Sequence, residues 1–512
     1  MILKGKRACG ILLHLTSLPS AAGIGDLGAG ARAFLDFLAE AGQSLWQMLP
    51  IGPVDRSLGG SPYCGVSAFA GNELLVDLNE LEEIGLLPPG EGTPLWTRID
   101  APIDWDLVFQ RKGSALDRAW ERFRVGRADL REEFHAFCRK QENWLKDYSL
   151  FCAIKASQGG KPWNEWPPDL RLRSPKALKE AAGTLEQERE RVEFGQWLFF
   201  RQWEKFRCEA HRRGIVLFGD LPIYVGLDSA DVWCWQEGFD LGEDGQPRTV
   251  AGVPPDYFSP TGQRWGNPTY LWEVHRKDGF AWWRSRVTHA LSLFDCIRID
   301  HFRGLSAYWA IPAGEETALR GKWIEAPGEE LLEALLSDHP NLPIVAEDLG
   351  IITPDVERLK NRFGLPGMRV LQFGFSGDTG TNPHAPHNFP ENAVAYTGTH
   401  DNNTARGWFE EELEEEGKTV LSRYLGHPVT AERVADDLIR LAYSSPAAWA
   451  ICPLQDGLGL DGRARMNQPG RKTGNWTWRC RIPEPDVARK LAETGVLFGR
   501  ARSSRSNVLN EP

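Results

Sequence analysis

Cys296-Ile-Arg298-Ile-Asp300-His301 is an apolar run that ends on charge. A hydrophobic strand has no packing reason to finish on a carboxylate. The same ending recurs further along, in Ala346-Glu347-Asp348 and in Thr399-His400-Asp401. A single strand-end aspartate is more often a helix N-cap or an ion-pair partner. Three together call for an architecture in which several strand ends meet. The carboxyl-end mouth of a parallel barrel is such a place.

Outward from this stretch, short apolar runs occur at 10–15, 45–51, 216–225, 296–302, 344–350, 368–375, 393–401 and 447–453. Several are almost unbroken in apolar character, as strands covered on both faces are. Helical patterns at 31–41, 282–294, 329–337, 354–363 and 431–443 fall between them. The alternation predicts an α/β fold, a (β/α)8 TIM barrel with large helical and lid-like insertions in its βα loops. A doubly wound sheet is the structural alternative. The intervals are uneven, and barrels extend their βα loops over the active-site face. The expected division is a catalytic barrel in 1–74 and 200–512, a mostly helical insertion at 75–199 after the second strand, and a lid-like insertion at 226–280 after the third.

Composition narrows the function. The 512 residues are 42 % apolar and 25 % charged, with a net charge of −11. An acidic chain of this kind is a poor match for nucleic acid or an anionic membrane, and a neutral substrate suits it better. Core packing accounts for most of the 21 tryptophans, but their excess also points to pyranose rings, which stack on indoles. The nine cysteines are scattered without C-x2-C pairs, which predicts reduced thiols and neither a disulfide framework nor a zinc site. Lys4, Lys6 and Arg7 before the run 9–15 mimic a signal peptide, yet the run is short, carries His14 and lacks a small-residue cleavage site. A cytoplasmic protein is expected, and no stretch is long and apolar enough to span a bilayer. Gly23-Ile-Gly25-Asp-Leu-Gly28 matches a dinucleotide fingerprint but begins eight residues after Leu15, and the next strand offers no acid for a ribose. A loop is the better reading. Histidine spacing suggests no metal site, and no cofactor or protein partner is implied.

At these motifs the chain resembles the 4-α-glucanotransferases of glycoside hydrolase family 77, within the α-amylase clan. Arg298-Ile-Asp300-His301-Phe302-Arg303-Gly304 is similar to the family's nucleophile strand, and Ile344-Val-Ala-Glu347-Asp348-Leu349-Gly350 to its acid/base strand. Tyr396-Thr-Gly-Thr-His400-Asp401-Asn402 resembles its third-carboxylate strand, and Phe218-Gly-Asp220-Leu-Pro-Ile-Tyr224 its third strand. The most diagnostic segment is Gly252-Val-Pro-Pro-Asp256-Tyr257-Phe258-Ser259, continuing to Gln263-Arg-Trp265-Gly-Asn267-Pro268. It resembles a lid loop that ordinary amylases lack. Further matches occur at Ser61-Pro-Tyr63, at 67–72 and at Ala464-Arg-Met-Asn467 through Gly474-Asn-Trp476. Many relatives place a Tyr just before Ser-Pro-Tyr and a Gln after it. Here the loop reads Ser57-Leu58-Gly59-Gly60, then Cys64-Gly65, so that glucan contact is not expected.

The resemblance implies a retaining mechanism on α-1,4-glucans, with glucose or maltose as acceptors. Asp300 would attack the anomeric carbon, and Arg298 would keep it ionised. Glu347 would act as acid and then base, its pKa raised by Asp300 and Asp401. Asp401, with His400, would bind sugar hydroxyls and favour the distorted ring, and Asp220 and His301 would support the same subsite. Tyr63, Asp256, Tyr257, Phe258 and Trp265 are the remaining substrate-binding candidates. A hydrolase on the same barrel and a non-catalytic glucan-binding protein are the rival expectations.

Overall fold

The computed structural model describes residues 7–92, 98–126, 128–255, 259–471 and 473–501. All eight predicted runs form strands: β1 (Ala8–Leu12), β2 (Leu45–Gln47), β3 (Val216–Leu221), β4 (Cys296–Ile299), β5 (Ile344–Ala346), β6 (Gly367–Val370), β7 (Ala393–Tyr396) and β8 (Trp449–Pro453). They are parallel and lie in the order β6-β7-β8-β1-β2-β3-β4-β5. Each strand therefore neighbours its successor, and β8 returns to β1. Between β5 and β6 the Ala346 N–H donates to the Pro366 carbonyl at 2.8 Å and the Met368 N–H to Asp348 Oδ1 at 2.6 Å. This is the (β/α)8 barrel, and the doubly wound alternative falls away.

Side-chain parity sorts the core, because successive strand residues face opposite sides. Leu12, Leu45, Phe218, Cys296, Val345, Val394, Tyr396, Trp449 and Ile451 pack in one cluster, the barrel interior. Cys9, Ile11, Trp46, Leu217, Ile297, Ile299, Ala395 and Ala450 belong to the other, facing the helices. The interior parity carries on to Asp220, Arg298 and Asp300, and from Val345 to Glu347. Every apolar run but 447–453 outlasts its strand, since the chain leaves the ladder at the mouth. Run 393–401 is strand only as far as Tyr396.

Helices Ala29–Glu40, Ala281–Leu293, Gly328–Asp338, Pro354–Arg362 and Val434–Ser444 cover the outside. Val434–Ser444 buries Ala435, Leu438, Ile439 and Ala442 along one stripe and places Asp436 and Asp437 at its positive end. At the amino-end rim, the Arg500 guanidinium donates to the carbonyls of Ala8, Tyr443, Ser445, Ala447 and Ala448 at 2.7–3.1 Å.

Between β2 and β3 the chain is chiefly helical, with Trp105–Gly126, Ala128–Lys140, Glu142–Ser157 and Glu186–Arg212 the longest elements. A second, antiparallel sheet is built from the loops after β3 and β4. Its order is Gln263–Pro268, Thr249–Val253, Ala307–Pro312, Lys322–Glu325. Nothing in the sequence reading anticipates the last two strands. Trp46, Trp163, Trp197, Trp203, Trp233 and Trp283 are fully buried, so packing accounts for these six indoles. Among the described residues no helix is long and apolar enough to cross a membrane, and no group of three or more His, Cys, Asp or Glu is placed to hold a metal ion.

Candidate active site

The site is built on Arg298. From the interior face of β4 its Nε and Nη2 donate to Asp220 Oδ1 and Oδ2 at 2.9 and 2.7 Å, and Nη2 lies 2.9 Å from Asp300 Oδ1. Arg298 and Asp220 side chains are 4 % and 1 % exposed, Asp300 32 % and Asp401 47 %. Charge thus runs from a sealed floor to an open mouth.

Tyr63 ties the floor to the β7 loop. Its hydroxyl donates to Asp220 Oδ2 at 2.6 Å and accepts from Arg298 Nη2 at 3.2 Å. Burial first, and then the Asp220 charge, push that hydroxyl well above its ordinary pKa, so it stays a donor. Having spent its proton on Asp220, the hydroxyl meets His400 Nε2 at 2.8 Å as an acceptor. Burial lowers the His400 pKa, and the geometry assigns its proton to Nε2. The two rings stack at 5.3 Å and 14°. His400 Nε2 also lies 3.4 Å from Asp401 Oδ2.

Glu347 follows β5 and continues its ladder, its N–H reaching the Ile299 carbonyl at 3.0 Å. Both carboxylate oxygens are held by backbone: His301 N–H to Oε2 and Leu349 N–H to Oε1, each 2.7 Å. His301 adopts a left-handed backbone, φ 53°, a strained conformation for a residue with a Cβ. Burial pushes Glu347 above the ordinary carboxylate range, against Arg298 and those two N–H groups. Asp300 is also raised, by burial first, with Arg298 opposing and Asp220, Glu347 and Asp401 reinforcing. Neighbouring carboxylates thus oppose the ionisation of Asp300. The direct guanidinium contact favours the ionised form of Asp300.

Asp348, one residue on, has a different place. It accepts from Lys360 Nζ at 2.6 Å, Arg369 Nη1 at 3.2 Å and Met368 N–H, sealing the β5–β6 seam. Asp401 Oδ1 accepts from Asn467 Nδ2 at 2.6 Å, and its carbonyl from Arg465 Nη2 at 2.7 Å. Trp265 stands edge-on over His301, ring centroids 4.8 Å apart at 87°. Burial lowers the His301 pKa to about 3, so that ring is neutral.

Of the twelve candidates from sequence, nine fall together here: Tyr63, Asp220, Trp265, Arg298, Asp300, His301, Glu347, His400 and Asp401. Asp256, Tyr257 and Phe258 lie outside the described residues. Asn467, Arg465 and Trp476 join the site without having been assigned roles. The Trp476 ring lies 5.9 Å from Tyr63 and 6.1 Å from His400, on a left-handed backbone. The motif at 464–476 was the available signal.

A parallel barrel whose strand ends converge on three carboxylates has the make-up of an enzyme that breaks and remakes glycosidic bonds. The sequence profile described as 4-alpha-glucanotransferase, glycoside hydrolase family 77, matches residues 13–484. The 4-alpha-glucanotransferase of Synechocystis is 51 % identical over 93 % of this chain and 94 % of its own length, and that of Thermus thermophilus 49 % over 92 % and 94 %. The solved amylomaltase of Streptococcus agalactiae, in complex with acarbose, superposes with a TM-score of 0.93 at 37 % identity, covering 97 % of this chain and all of that one. The chain belongs to the 4-α-glucanotransferase family.

Proposed function

We propose that this enzyme transfers α-1,4-glucan segments between maltodextrins by double displacement at Asp300, with Glu347 as acid and base. The observation that carries the reading is what each carboxyl group touches. Asp300 lies on a guanidinium at 2.9 Å, while Glu347 sits on two backbone N–H groups in a buried setting that favours its proton.

The steps balance as follows. Asp300 attacks the anomeric carbon while Glu347 protonates the glycosidic oxygen, and the shortened glucan leaves as a neutral alcohol. Glu347, now ionised, takes the proton from an acceptor 4-hydroxyl. That oxygen displaces Asp300, restoring both carboxyl groups and the α-configuration. Asp401 and neutral His400, fixed by Asn467 and Tyr63, are placed to hold hydroxyls of the reacting sugar. Trp265 keeps water from the intermediate and offers the acceptor an apolar surface. Glucose and maltose are the expected small acceptors, in a cytoplasmic setting without cofactor.

The test is incubation with maltotriose and chain-length analysis. Longer maltodextrins together with glucose are expected. Glucose and maltose alone would mean that water wins and the chain is a hydrolase. No turnover would leave a glucan-binding protein.

A further inference from the structure

The turn that carries the nucleophile is gripped at two points by the four-stranded sheet. Its outer strands are Gln263–Pro268 and Lys322–Glu325, and each presents one partly exposed tryptophan. Trp265, on the first, meets the His301 ring edge-on. Trp323, on the second, lies under the Arg303 guanidinium, whose Cζ is 3.9 Å from the ring centroid. Trp323 is backed by Trp309 across the ladder, centroids 5.3 Å apart, and Trp309 Nε1 is anchored on the Ala318 carbonyl at 2.9 Å. Arg303 also donates from Nη1 to the Ile351 carbonyl at 3.2 Å, in the loop that follows Glu347.

Between these grips, residues 301–304 are wound tightly. His301 is left-handed, and a Cβ at Gly304 would come within 2.7 Å of Ile223 Cδ1. What the turn delivers is backbone: the His301 N–H to Glu347 Oε2 at 2.7 Å and the Phe302 N–H to the Glu347 carbonyl at 3.2 Å. A strained conformation persists only where its surroundings over-determine it. A cation on an indole face and an edge-on indole supply that constraint from opposite margins of one sheet.

We propose that Trp323, acting through Arg303, and Trp265, acting through His301, are positioning residues: the sheet clamps the 300–304 turn and so sets the hydrogen bond that holds the Glu347 carboxyl in place. The inference rests on Glu347 being the acid and base. The other charged groups around Glu347 are Arg298 on β4, Asp300 just after it and Asp348 from its own loop. None of them is altered by the variants below.

The decisive experiment measures kcat and KM for maltotriose against pH in full-length Trp323→Leu, Arg303→Lys and Arg303→Leu. Trp323→Leu removes the clamp without changing charge. A hydrogen bond to a carboxylate favours its ionised form, so loosening it raises the pKa. The expected result is a kcat lower by about tenfold, KM within about twofold, and a basic limb moved up by roughly half a pH unit. Arg303→Leu is expected to do the same and Arg303→Lys to recover part of the loss. If Trp323→Leu does not fold, Trp323→Phe, which keeps a smaller ring, carries the same readout. A lower melting temperature with an unmoved basic limb would overturn the clamp. Glu347→Gln keeps the two failures apart. Turnover surviving in that variant would overturn the acid/base reading, whereas turnover lost there with the limb fixed in Trp323→Leu would overturn the clamp alone.

Discussion

Two of the buried cations of this molecule, Lys112 and Arg298, are finished differently. Lys112, in helix Trp105–Gly126, points inward and is fully buried. Its three protons meet Asp26 Oδ2 at 3.0 Å and the carbonyls of Leu74 and Val76 at 2.7 and 2.8 Å. Asp26 is closed in turn by the Gly28 N–H and the Ser20 hydroxyl. Arg298 begins the same way, with Asp220 and Tyr63. Its network then opens through Asp300, Tyr63 and His400 onto Asp401, and the two aspartates at its ends meet solvent. A saturated cluster holds an insertion to the barrel; a graded one ends in groups ready for a substrate. Buried ionic groups of either kind are costly to disturb, but the cost should appear in different measurements.

The largest effect is expected at the open cluster. Asp300→Asn should lower turnover of maltotriose by at least about 10⁴-fold, with glucan binding retained by calorimetry and the melting temperature little changed. Substantial residual turnover would move the nucleophile elsewhere. Lys112→Met should show the reverse, a loss of about 3–5 kcal/mol in urea unfolding, since Asp26 stays buried without its cation. Its kcat per folded molecule should be preserved, and a matching fall in kcat would erase the distinction drawn here. Tyr63→Phe deletes a hydroxyl shared by Asp220, Arg298 and His400. A decrease of about 10–100-fold in kcat/KM is expected, the worth of one hydrogen bond to a charged group, with little change in stability.

The pH dependence gives a finer test. As the proposed acid, Glu347 must be protonated to begin the reaction, and burial raises its pKa above 4.5. The rate should therefore fall as pH rises through that raised value, and not as pH falls through it. The same shift means that the folded state binds the proton more tightly than the unfolded chain. Its contribution to stability is present at low pH and lost with rising pH. A pH–rate profile that keeps climbing through neutrality would contradict the assignment of Glu347 as acid. The smallest effect is expected from Trp265→Ala, about tenfold in kcat as its half of the clamp on His301 is lost, together with a larger share of hydrolysis products. Its measure is reducing-end release against chain-length redistribution.

The open cluster was legible in the sequence because its chemistry is local to strand ends. Arg298 and Asp300 sit two apart on one strand, and a charged finish to an apolar run is visible without structure. All eight strands were legible too, though their lengths were not. A run such as 45–51 stays apolar after leaving the ladder, because the mouth loops are themselves packed. The closed cluster was invisible. Asp26 and Lys112 are far apart in the chain, and each looks like an ordinary charged residue on a loop or helix. The strands Ala307–Pro312 and Lys322–Glu325 escaped for a related reason, since Thr249–Val253, the partner that makes them a sheet, arrives from a different βα loop. Asn467 and Trp476 fell within a recognised motif, but only the fold reveals that they face His400, Asp401 and Tyr63.

The pairing of β1 with β8, locked from below by Arg500, has a consequence for synthesis. On the ribosome the chain emerges from its N-terminus, and β1 must wait on one flank for a neighbour made more than four hundred residues later. Contacts of such long sequence separation form slowly. The Ala8–Leu12 edge is therefore uncovered on that flank until β8 has been made, and the nascent barrel is a candidate client for chaperones that shield unpaired strands.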